Sequence, residues 1–159
     1  MFEKAFHTRK EKIIAGGLDY HFNDDLTLGV FYSHGDFTIP KDDYFGSKNE
    51  KKGYSVQLTY KKADPEVQGS FGTWLAYRHI GAFSTMYPTF DGVQIGSKGF
   101  EIGLDYVIAP RVVARLVGAW GKYLNSGKVD QARVAPEWEG GYAPERDTSH
   151  FLASIEYHF

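Results

Sequence analysis

Ionisable and hydrogen-bonding side chains recur at alternate positions in several segments of this 159-residue chain. Lys61, Arg78 and Arg115 supply positive charge, and Asp19, Glu101, Asp105 and Glu156 supply negative charge. His21, Gln57 and His158 occupy equivalent alternate positions. Little in these types and spacings suits catalysis. The six His, at 7, 21, 34, 79, 150 and 158, lack the i, i+4 or clustered spacing of a metal site. Ser33 and His34 are neighbours, and neighbours on a strand point to opposite faces. The chain has no Cys, which removes thiolate metal sites and disulfides. No phosphate-cradling glycine motif is present, so no cofactor is expected. The net charge of −2 implies no bulk attraction to nucleic acid. What the residues can do is wet a wall. Opposed charges facing a water-filled space set up a transverse field and filter solutes by size and charge. The alternative is that they pair across strands and only solvate that wall. Arg78 and Arg115 are the strongest candidates, each mid-strand among small residues (Ala76; Ala114 and Ala119). Three positive against four negative residues give no clear selectivity.

The elements that must position these residues are strands. Twelve Phe, 11 Tyr and 18 Gly favour β-structure with tight turns over a helical bundle. Period-two alternation predicts strands at about 14–22, 26–33, 54–61, 70–81, 100–106, 112–120 and 151–159. In the last, Phe151, Ala153, Ile155, Tyr157 and Phe159 share one face, and Leu152, Ser154, Glu156 and His158 the other. His79 falls on the apolar side of the fourth strand, which predicts a position near the end of the span or a bulge. The sixth strand is apolar on both faces except at Arg115. Short turns are expected at 23–25, 64–69 and 109–111, and long loops at 38–52, 85–98 and 125–149. The last loop is long enough to fold inward or to stay external.

Alternation alone suits a soluble barrel, which hides its apolar face inside, and a membrane barrel, which turns it to lipid. Three features favour the membrane. Aromatics sit at strand ends on the apolar face, as in an interfacial girdle (Tyr20, Phe22, Tyr32, Tyr54, Tyr60, Tyr77, Phe100, Tyr106, Trp120, Phe151, Tyr157 and Phe159). Short and long connections alternate strictly. The other face carries too many charges for a dry core. The expected fold is therefore an all-β, antiparallel up-and-down transmembrane barrel, with the whole of 1–159 one barrel segment. If short turns face the periplasm, the first of seven strands starts outside the cell. Complete bacterial barrels have even strand numbers, and the N-terminus lacks the apolar core of a signal peptide. These observations lead us to expect a C-terminal part of a larger barrel, with 1–10 the tail of an upstream loop and the signal peptide upstream.

Residues 70–81 (SFGTWLAYRHIG), 87–92 (YPTFDG) and 96–107 (GSKGFEIGLDYV), with the aromatic terminal strand, resemble the C-terminal barrel of the outer-membrane porins of diderm Firmicutes that carry an S-layer-homology domain. The resemblance covers about 53–159; the first 50 residues are similar only in style. It implies a barrel of about 16 strands. It further implies a passive diffusion channel for ions and small hydrophilic solutes in the outer membrane, and a trimer. Its partners would be outer-membrane lipid, barrel-assembly machinery reading the terminal strand, and the cell wall, gripped through an absent N-terminal periplasmic domain. It supplies no catalytic residues, so no enzyme is expected. Two other classes stay open: a non-conducting structural or adhesion barrel acting through its external loops, and a soluble ligand-binding barrel.

Overall fold

The computed structural model describes residues 12–36, 51–81, 84, 92–124 and 147–159. They form a single antiparallel meander. Its strands are β1 (Lys12–His21), β2 (Leu26–Asp36), β3 (Lys52–Tyr60), β4 (Phe71–Ile80), β5 (Ser97–Ala109), β6 (Val112–Tyr123) and β7 (Asp147–Tyr157). They pair in chain order, and the sheet is open between β1 and β7. Seven strands were expected, and so was the alternation of short and long connections. The boundaries differ. Strand structure takes in Lys52, Ser97, Lys98 and 147–149, which polarity assigns to loops, because each has a paired neighbour across the ladder. At the other end β7 stops at Tyr157, not Phe159. Tyr157 pairs with Val112, the first residue of β6, and beyond it only the Arg111 carbonyl remains to accept the His158 N–H (2.9 Å).

The short turns have local chemistry that fixes the register. Asn23 Oδ1 accepts from the Asp25 and Leu26 amides (2.9 and 2.8 Å), an Asx turn that closes β1 onto β2. Pro110 and Arg111 join β5 to β6, with Arg111 at φ 67°. The register of β5 on β6 shifts between Val107 and Ala109, leaving Ile108 as an extra residue. His79 is the penultimate residue of β4, buried and stacked on Tyr54 at 4.6 Å; β3 and β5 pass it in continuous register, so no bulge is needed there.

The two faces are opposite in character, and the apolar one is open. On β3, Tyr54, Val56, Leu58 and Tyr60 are 37–45% exposed; on β5, Phe100, Ile102, Leu104 and Tyr106 are 37–58% exposed. The alternate residues Gly99, Glu101, Gly103 and Val107 are buried. This is the reverse of a soluble half-buried sheet. Cross-strand register lines the outer residues into rows. Tyr77, Phe100 and Trp120 form one row; Leu75, Ile102 and Gly118 lie below it; Phe71, Tyr106 and Ala114 lie lower still. Aromatic rows thus bracket an aliphatic one. The buried inner side collects Ala76, Val113, Val117 and Ala119.

The register can be checked by cross-linking, since the chain has no native Cys. Leu104 and Leu116 are directly opposed, at a Cα separation that a disulfide spans. Leu104→Cys with Leu116→Cys should oxidise to a bridged form on reducing versus non-reducing gels. Leu104→Cys with Val117→Cys, on opposite faces, should not.

Candidate functional site: a charged network on the inner face

Glu101 stands in register with Ala76 on β4 and Ala119 on β6, so small side chains leave room for its carboxylate. It is 1% exposed. Five donors fill it. Arg78 contributes Nη2 to Oε1 (3.0 Å) and Nε to Oε2 (3.3 Å), and Trp74 gives Nε1 to Oε1 (2.9 Å). The backbone amides of Gly92 and Val93 donate to Oε2 (2.8 and 3.3 Å). Arg78 also donates to Ser55 Oγ (3.2 Å) and Gln57 Oε1 (2.9 Å). One network therefore ties β3, β4 and β5 to the connection that follows β4.

A second cluster lies four residues further along β5, at Asp105. Arg115 and Asp105 are cross-strand partners, joined by a bidentate pair (Nε–Oδ1 2.8 Å, Nη2–Oδ2 2.9 Å). Arg115 Nη1 also reaches Glu156 Oε1 on β7 (3.1 Å). Trp74 lies between the clusters. Its indole bonds Glu101, the Arg115 guanidinium sits 5.9 Å from its ring centre, and the ring occupies the space that a Cβ on Gly103 would need. Towards β1, Asp19, His21, Gln57, Lys62 and Arg78 border an open groove of about 660 Å³, with His21 Nδ1 2.8 Å from Thr27 Oγ1.

Asp19, His21, Gln57, Arg78, Glu101, Asp105, Arg115 and Glu156 all fall on this inner face, where alternation puts them. The charges of β4 to β7 pair across strands rather than standing free. Lys61 departs from this pattern. Strand β3 ends at Tyr60, and Lys61 has a left-handed φ of 58°, with its amide bonded to the Asp25 carbonyl. That turn breaks the period of two, and the ammonium swings to the outer side, 5.6 Å from the Tyr60 ring and 5.4 Å from Phe71. Lys62 lines the inner groove instead. His158 lies past the end of β7 and is exposed.

The expectation that residues 125–149 could fold inward falls outside the described residues, apart from 147–149, which are strand. A different segment does turn inward, residues 92–95 just before β5. Val93 is buried against Ile80 and Ala119, with Ile95 beside them, and Gly92 approaches Val117 and Ala119 so closely that a Cβ would not fit. The signal was present in the sequence: β6 is apolar on both faces except at Arg115, so Val117 and Ala119 need cover on this side as well.

Compared with protein-family models, curated proteins and solved structures, the chain has no match.

Glu101→Ala removes the shared acceptor of all five hydrogen bonds and breaks its ion pair with Arg78, whose side chain is 14% exposed. The expected loss is about 3 kcal/mol, read as a lower urea midpoint. Glu101→Gln should cost less, because its Oε1 still accepts from Trp74.

Proposed function

We propose that this chain forms part of an outer-membrane β-barrel that works as a passive diffusion channel for ions and small hydrophilic solutes. The observation that carries this reading is the sidedness of the sheet: large apolar residues are open on one face and paired charges line the other. Monomeric soluble proteins rarely leave an apolar patch larger than a few hundred Å² uncovered. This face runs continuously across all seven strands. In lipid it carries no penalty, and the aromatic rows lie where interfacial girdles lie.

Dimensions agree. The strands are 9–13 residues long, and a transmembrane β-strand needs about 9–11. From Lys98 to Ile108, ten steps of about 3.4 Å give about 34 Å of strand. At a tilt of about 40° that is about 26 Å of height, close to the apolar band of known barrels. An open sheet edge in lipid leaves backbone groups unpaired at several kcal/mol each. On this reading the edges of β1 and β7 are paired by further strands. The resemblance to porins bearing an S-layer-homology domain extends the proposal to a trimer, recognition of the terminal strand by assembly machinery, and cell-wall attachment through a separate domain.

One observation favours a second reading, a non-conducting barrel that acts through its loops. The 92–95 segment covers part of the inner face, as a plug would. In the channel reading the same segment narrows the passage.

Planar bilayer recordings of the full-length protein separate the two. Discrete conductance supports the channel, and its absence supports the plugged barrel. Arg115 is held by Asp105 and Glu156. Arg115→Ala leaves two carboxylates facing the water and should shift the reversal potential in a KCl gradient towards that of K⁺. Unchanged selectivity and conductance would remove Arg115 from the pore wall.

A further inference from the structure

The outer face is not purely apolar at its long-loop end. One step above the Tyr77–Phe100–Trp120 row, register sets Lys98 directly opposite Lys122. Like charges directly opposed in a ladder destabilise it, and a simple snorkelling role would be served by one lysine or by staggered ones. Asp147 on β7 lies 3.5 Å from Lys122 Nζ, but both are well exposed (67% and 79%) and such a pair is weak. Among the described residues Lys98 has no ion-pair partner. Among the described residues, two ammonium groups thus share one carboxylate here. In the row below them, Tyr77, Phe100, Trp120 and Ser149 line an open groove of about 1000 Å³, which Asp147 also borders. Tyr77 and Phe100 meet edge to face at 5.1 Å, so one wall of the groove is a fixed aromatic surface.

We propose that this groove binds one anionic lipid, with its headgroup phosphate bridging Lys98 and Lys122 and its acyl chain running down over the Phe100–Trp120 aromatics. Charge complementarity selects the headgroup, since a phosphate between the two ammonium groups relieves their mutual repulsion. A lipid rather than a free phosphate is selected by the groove, which gives an apolar floor directly beneath the charged pair. At the short-turn end of the same face Lys61 alone stands over Tyr60 and Phe71, so no bridged phosphate is expected there.

The inference rests on the reading that this face meets lipid, and the test separates the two. The full-length protein would carry an NBD fluorophore at Ser149→Cys, a groove position, and be reconstituted in phosphatidylcholine vesicles. These would be doped with increasing mole fractions of nitroxide-labelled phosphatidylglycerol or, in parallel, nitroxide-labelled phosphatidylcholine. Labelled phosphatidylglycerol should quench at about fivefold lower mole fraction. K98Q/K122Q should reduce it to the level of labelled phosphatidylcholine, and K98R/K122R should retain the preference. Equal quenching by the two lipids in the parent protein, or a preference that survives K98Q/K122Q, would overturn the lipid site while leaving the membrane reading intact. No quenching by either lipid would overturn both.

Discussion

A carboxylate at 1% exposure is tolerable only when its lone pairs are filled, and Glu101 fills them with donors from two separate parts of the chain. Arg78 and Trp74 come from the neighbouring strand, and Gly92 and Val93 come from the connection that follows it. The consequences spread outward. Because Glu101 takes the Trp74 indole, the ring lies over Gly103 and offers its face to Arg115. Because Glu101 takes the Gly92 and Val93 amides, the connection turns inward and covers Val117 and Ala119, which would otherwise be apolar on a polar face. Pairing, aromatic packing and loop placement on the inner side thus share one anchor.

That anchor matters because of which way the sheet faces. With Leu, Ile and aromatic side chains outward, the inner residues cannot rely on a hydrophobic core, and polar satisfaction replaces it. Each inner charge of β4 to β7 finds a partner on an adjacent strand, which offsets the cost of drawing it partly out of water. On the proposed membrane reading the two faces solve complementary problems. Lipid removes the penalty on the apolar side, and the ion-pair network with water removes it on the other.

Much of this was legible in the chain. Period-two alternation locates all seven strands, because a pleated strand allows no other phase once one face is committed. The inner placement of Arg78, Glu101, Asp105 and Arg115 follows from the same rule. It failed where the backbone left the β region, as at Lys61, whose left-handed φ carries the side chain to the other side. Strand ends were misjudged where polar residues such as Ser97, Lys98 and Asp147 are held by pairing, which is non-local and leaves no mark in composition. The Glu101 anchor was invisible as an anchor. Two of its donors are backbone amides whose side chains say nothing, and only the doubly apolar β6 hinted that something must cover it.

The most direct test of sidedness is a nitroxide scan along β3, one single-Cys label at a time from Tyr54 to Tyr60, in the full-length protein in lipid vesicles. Collision rates with oxygen, which concentrates in lipid, and with a water-soluble nickel chelate should alternate with period two. Labels at Tyr54, Val56, Leu58 and Tyr60 should favour oxygen, and those at Ser55, Gln57 and Thr59 should favour nickel. Nickel accessibility at Val56 and Leu58 equal to or above that at Gln57 would contradict a lipid-facing sheet.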